Sequence, residues 1–273
     1  PVGKRAPVIT SLVNAASFTY EGDTAPGSIV TLFCEHLEAR DQLSGFPATT
    51  FQGVTVTFND IPAPLFHLIG SRRQINLVVP SELPVNKTVA VQVKTPLGTS
   101  PRYYLNMPDA TPGMFFISDP TNPSRRNAAA LFANTAWRVM PRSLAAALRI
   151  PADCKGVARD AICGQPALPG DVIQIYATGL GRATPGGDPA GPPLATGSIA
   201  PPDGRPLYLT VRKPEIKIGN VAAEVQFSGL APGFAGLYQI NVRIPEGAPT
   251  GDDVPVTISA FPFSDSATLA IQR

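Results

Sequence analysis

Short runs of alternating apolar and polar residues fill the chain, and Pro, Gly or Asn turns break them roughly every 8–12 residues, the pattern of a many-stranded β protein. In Val172-Ile173-Gln174-Ile175-Tyr176-Ala177, the residues Ile173, Ile175 and Ala177 share one apolar face. A Pro-Gly turn introduces this run at Leu168-Pro169-Gly170-Asp171, and another introduces Ile29-Val30-Thr31-Leu32-Phe33-Cys34 at Ala25-Pro26-Gly27-Ser28. A second duplication follows each. Gln74-Ile75-Asn76-Leu77-Val78-Val79-Pro80 returns as Gln239-Ile240-Asn241-Val242-Arg243-Ile244-Pro245. Proline ends each copy, because it has no N–H to give to a ladder.

Matching strands fill the rest of both copies. Residues 53–58 correspond to 215–218, and 63–66 to 223–227, with short turns at Asn59-Asp60 and Gly219-Asn220. Two closing strands are expected at 88–94 and 102–107, and again at 254–260 and 267–272. About seven short strands per copy predict an immunoglobulin-like β-sandwich. The chain is therefore expected to be all-β, with two tandem Ig-like sandwiches: 1–110 and 111–273. The second would include an insert at 125–165 and a Gly/Pro-rich surface loop at 184–206. Strands are expected at 114–117 and 128–133, and a short helix over 144–148 with Ser143 as its N-cap.

Composition fits this picture. The 31 prolines and 24 glycines suit many turns, and 44% apolar against 15% charged residues can bury two cores. Net charge is +2, without a basic stripe interleaved with aromatics, so nucleic acid is not an expected partner. No apolar run reaches the 18 or so residues of a membrane helix. The chain shows no signal peptide, as a mature, processed chain or an excised fragment would not.

Catalytic patterns are missing from the sequence. His36 and His67 are the two histidines, and neither sits at metal-ligand spacing from a Cys or carboxylate. There is no Gly-x-Ser-x-Gly elbow, and Gly179-Leu180-Gly181 follows no βαβ pattern. Asp252-Asp253 reads as a solvated turn pair. No catalytic residue, cofactor or metal is assigned. Cys154 and Cys163 lie in a Pro-bounded stretch, close enough to form a disulfide, the alternative being two reduced thiols. Cys34 falls on an inward strand face as a buried free thiol.

Val13-Asn14-Ala15-Ala16-Ser17-Phe18, the Ala-Pro-Gly-Ser turn, the repeated Gln-Ile-Asn motif and Tyr176-Ala177-Thr178-Gly179-Leu180-Gly181 carry a resemblance. So does Gly229-Leu230-Ala231-Pro232-Gly233. The chain resembles the Solibacter-type C-terminal domain family of secreted acidobacterial proteins, and each half resembles an IPT/TIG immunoglobulin-like domain. The resemblance implies an extracellular or cell-surface appendage and brings no catalytic residues. The chain departs from it in the Cys-containing insert and at Cys34-Glu35-His36.

The expected function is a non-catalytic extracellular structural or protein-interaction module, including self-assembly into a fibre by β-strand addition. The alternative is a carbohydrate-binding or adhesion module, which predicts Trp137, Tyr103 or Tyr104 exposed on a flat face. Expected partners are other protein subunits, copies of the chain among them, or a polysaccharide. Candidate contacts are Lys4 and Arg5 in an arm with little to bury, Trp137, and Phe261 and Phe263 around a Phe-Pro-Phe hairpin tip. Trp137 has a plainer reading as the residue that packs the insert onto the sandwich.

Overall fold

The computed structural model describes residues 5–19 and 22–273. Two compact units divide the chain: Pro1–Thr111 with Thr178–Arg212 and Leu230–Leu237, and Pro112–Ala177 with Lys213–Gly229 and Tyr238–Arg273. Ten strands open the first unit: β1 (Val8–Asn14), β2 (Ile29–Glu35), β3 (Gln42–Ala48), β4 (Thr55–Phe58), β5 (Ile61–Pro62), β6 (Leu65–Ile69), β7 (Gln74–Val78), β8 (Thr88–Thr95), β9 (Gly98–Thr99) and β10 (Tyr103–Asn106). The second unit begins with β11 (Gly113–Met114), β12 (Phe116–Asp119), β13 (Asn122–Ala128), β14 (Ala130–Phe132) and β15 (Arg138–Val139). It continues through the helix α1 (Arg142–Ala147), β16 (Gly164–Gln165) and β17 (Val172–Thr178). The hairpin of β18 (Ala183–Pro185) and β19 (Tyr208–Thr210) lies in the first unit. Then come β20 (Glu215–Ile218), β21 (Val221–Ala222), β22 (Glu224–Leu230), β23 (Tyr238–Arg243), β24 (Gly251–Ala260) and β25 (Phe263–Ile271).

The first unit is a sandwich of two sheets, β1-β2-β7-β6-β3 and β10-β8-β4-β5, with β9 beside β8. Period-2 alternation builds its core. Along β8, Val89, Val91 and Val93 are fully buried between more exposed neighbours. They share one cluster with Val56 and Phe58 of β4 and with Leu32, Leu65, Ile75 and Leu77 of the facing sheet. In the second unit one sheet runs β12-β13-β25-β24-β20-β21, and another contains β16-β15-β14-β17-β23-β22. Its buried positions alternate too, at Ile173 and Ile175, Ile240 and Val242, and Val254, Val256 and Ile258.

The sequence repeat is a repeat of register. Leu32 pairs with Ile75 and Val30 with Leu77, while Ile175 pairs with Ile240 and Ile173 with Val242. The outward Gln and Asn of the motif also have a common role. Gln74 Nε2 donates to Asn76 Oδ1 at 2.8 Å, and Gln239 Nε2 donates to Asn241 Oδ1 at 2.8 Å. The Pro-Gly turn clasps the end of the motif strand in both units. Gly27 N–H bonds to the Val79 carbonyl and Val79 N–H to the Ser28 carbonyl; Gly170 with Ile244, and Ile244 with Asp171, do the same. Both turn glycines have positive φ, 76° and 87°, where a Cβ would be strained.

Three expectations need correction. The Gly/Pro-rich stretch 184–206 belongs to the first unit. Ser81 Oγ donates to the Leu194 carbonyl, Ser81 N–H to Thr196 Oγ1, and Glu82 accepts from Thr196. Helix α1 starts at Arg142, with Pro141 in the N-cap position at ψ 144° and no side-chain cap, so Ser143 lies inside its first turn. What holds α1 is burial of Leu144 and Ala145 against Met140. Residues 125–128 fall in β13 and 130–132 in β14, so the insert proper begins after Phe132.

Candidate interaction surfaces

The longest hairpin of the molecule is made by β24 and β25, which pair from Gly251↔Ile271 to Ala260↔Phe263. That register leaves Phe261 and Pro262 as a two-residue tip. Phe261 is 94% exposed. Phe263 is half-buried, in step with the buried Asp265, Ala267 and Leu269 on the inward face of β25. The two phenylalanines grouped by the sequence thus part company: one projects, the other leans inward.

The Cys pair is bonded, Cys154 to Cys163, with both residues buried. The bridge lies within a clamped arm. Ala136 N–H donates to the Arg159 carbonyl, Arg138 N–H to the Cys163 carbonyl, and Gly164 N–H to the Pro151 carbonyl. Trp137 Nε1–H donates to the Ala158 carbonyl at 3.0 Å, and its ring is half-buried. The indole N–H therefore ties Trp137 to residue 158 within the insert. The bridge closes a loop spanning nine positions, short enough for roughly 2–3 kcal/mol of entropic stabilisation. C154S/C163S is expected to lower stability by about that amount and to raise the fluorescence response of Trp137 to a soluble quencher. An unchanged Trp137 accessibility would show that the bridge does not hold the arm.

Other candidates are dispersed. Tyr103 packs on the first-unit core, whereas its neighbour Tyr104 is 61% exposed on the opposite face of β10. Arg5 is exposed ahead of β1, and Lys4 lies outside the described residues. A shallow polar depression in the first unit is lined by Glu38, Ala39, Arg40, Gln42 and Gln52. Its Gln52 amide is already spent on both backbone groups of Arg40. Cys34 is buried, and that burial pushes its thiol up to about 11, so it stays protonated. Among the described residues, no three His, Cys, Asp or Glu side chains gather in a way that would hold a metal ion. No helix among them is long and apolar enough to cross a membrane.

The sequence reading missed an ion-pair system in the second unit. Arg126 makes a bidentate pair with buried Asp265, at 3.0 and 3.2 Å, and its guanidinium lies 4.8 Å from the centre of the Phe116 ring. Asp265 also accepts the Met114 N–H at 2.8 Å. Arg125 donates twice to Asp253, at 2.6 and 2.7 Å, and once to Asp119 at 3.0 Å. The Asp253 hydrogen bond is the main cause that raises the Arg125 pKa. Asp253 is thus half of a bidentate pair, not one of two solvated carboxylates. One signal was present in the sequence: an aspartate at position 265 on an otherwise apolar strand face.

No family model matches the chain, and no curated protein matches it. Solved structures give distant likenesses. A surface glycan-binding protein of Prevotella bryantii is 13% identical, with a TM-score of 0.24, over 96% of this chain and 41% of that one. A Bacteroides ovatus protein of a mixed-linkage glucan utilization locus, in complex with a mixed-linkage heptasaccharide, is 12% identical. Its TM-score is 0.24, over 100% of this chain and 48% of that one. The I9–I11 tandem of titin is 8% identical, with a TM-score of 0.21, over 97% of this chain and 65% of that one. The chain spans less than two thirds of the length of each, and likeness at this level carries no functional argument. What the chain's own sheets establish is an all-β architecture of immunoglobulin-like sandwiches.

Proposed function

We propose that this chain is a non-catalytic extracellular module that works by protein contact, with further copies of itself among its partners. The observation that carries this reading is Phe261. Burying a phenylalanine side chain is worth about 1.5–3 kcal/mol. Here one is held almost fully in water at the end of a long two-stranded ladder. The ladder fixes its backbone in advance, so docking the ring into an apolar pocket loses little conformational entropy. The disulfide supports an oxidising, extracellular setting. His36 is exposed in a turn with φ 59°, and His67 sits on β6 opposite Leu43 and Asn76. The arm ahead of β1, with Arg5, is a second proposed contact.

The test is the mass of the native chain by light scattering, with negative-stain electron microscopy. The wild type is expected to form assemblies well above 28.6 kDa. Phe261→Ser is expected to shift them toward the monomer by tenfold or more in concentration, with folding stability within about 0.5 kcal/mol of wild type. A wild type that stays at 28.6 kDa across the accessible concentration range would sink the self-assembly reading.

A further inference from the structure

The positive charge of this chain is not spread evenly. The whole sequence has 22 basic and 20 acidic residues, while residues 137–163 alone hold five basic and two acidic ones. The rest of the chain is therefore slightly acidic. The five are Arg138, Arg142, Arg149, Lys155 and Arg159. Outside the insert, Arg73, Arg125, Arg126, Arg212 and Arg243 each have a carboxylate within 4.0 Å. In the insert only Arg142 does so, at 3.8 Å from Asp153. Among the described residues, Arg138, Arg149, Lys155 and Arg159 have no carboxylate within ion-pair distance.

The same segment is cross-linked and hydrogen-bonded to itself. Lys155 and Arg159 lie inside the loop closed by Cys154 and Cys163. The Arg159 carbonyl is bonded to Ala136, next to Trp137, and Arg138 is bonded through its N–H to Cys163. Arg142 Nη1 donates to the Ala152 carbonyl at 2.6 Å, which ties α1 to the same arm. Asp153 Oδ1 accepts the Lys155 N–H, so one of the two local carboxylates is already engaged. Four of the five cations, Arg142, Arg149, Lys155 and Arg159, are exposed, as is Ile162, and Trp137 is half-buried.

Cations fixed in advance lose little entropy when they meet a polyanion. Guanidinium forks match carboxylates bidentately, and a partly exposed indole suits the C–H faces of sugar rings. Single-stranded nucleic acid would need a series of stacking aromatics, and this segment holds one, with its N–H committed. We propose that the disulfide-clamped insert, residues 137–163, is a docking surface for an anionic, uronate-bearing polysaccharide. This site is separate from the Phe261 tip and does not rest on it.

The probe is polygalacturonate, with neutral pullulan and single-stranded oligo-dT of equal charge as comparators, measured by calorimetry at low and physiological salt. The wild type is expected to bind polygalacturonate, more weakly as salt rises, and to leave pullulan unbound. K155E/R159E is expected to lower affinity by about tenfold or more, and K155Q/R159Q by less, without change in Tm. F261S is expected to bind as the wild type does. Three results would overturn the proposal: no binding at low salt, affinity insensitive to the charge reversal in a folded variant, or equal affinity for oligo-dT.

Discussion

Leu77→Ala is expected to cost about 3–4 kcal/mol, the upper range of single substitutions in this chain. Leu77 is fully buried on β7, the central strand of its sheet, opposite Val30 on β2 and Leu65 on β6. Removing three carbons there leaves a cavity walled by strands paired on both sides, which cannot collapse into it. The duplication supplies an internal control. Val242 holds the same place in the second copy, fully buried and opposite Ile173. Val242→Ala removes two carbons and is expected to cost about 2–3 kcal/mol. Urea denaturation followed by far-UV circular dichroism measures both, read at constant m. A cost below about 1 kcal/mol for Leu77→Ala would mean that β7 is not a central, load-sharing strand.

How far the sequence reaches is clear from where these residues sit. Strands were legible where burial alternates with period 2, because one buried sheet face leaves its mark on consecutive residues. The Gln-x-Asn motif was legible as a repeat, though its reason, an amide pair on the outer face, needed coordinates. The disulfide was legible because its two cysteines lie in one Pro-bounded stretch, and the Phe-Pro-Phe tip because strand patterns flank it. What stayed hidden was set by partners far away in sequence. Nothing between residues 184 and 206 states that Thr196 will meet Ser81, 115 positions earlier. The arginine doublet at 125 and 126 looks like scattered surface charge until Asp253 and Asp265 arrive from 128 and 139 positions away. Of the candidate contacts, sequence placed Phe261 at a tip. It could not separate Phe261 from Phe263, because which side of a hairpin end a ring takes depends on register.

The second large effect is expected at Asp265. Its carboxylate is buried, and it takes two hydrogen bonds from Arg126 and one from the Met114 N–H. Asp265→Ala leaves the Arg126 guanidinium packed on Phe116 with no counter-charge, and leaves a buried N–H with no acceptor. Breaking such a pair from one side is expected to cost about 3 kcal/mol, since the half-buried guanidinium keeps part of its desolvation penalty and the buried Met114 N–H loses its acceptor. Asp265→Asn keeps an acceptor for Met114 and is expected to cost less, about 2 kcal/mol. The double variant R126M/D265A separates the causes. Once the cation is gone, no half-buried charge is left without a partner, so the double variant is expected to be more stable than Asp265→Ala alone. Trp137 is the one tryptophan of the chain and lies in the same unit, so its fluorescence reports this transition. If Asp265→Ala and the double variant lose equal stability, the carboxylate's role is to hold the Met114 backbone, and Arg126 is a bystander.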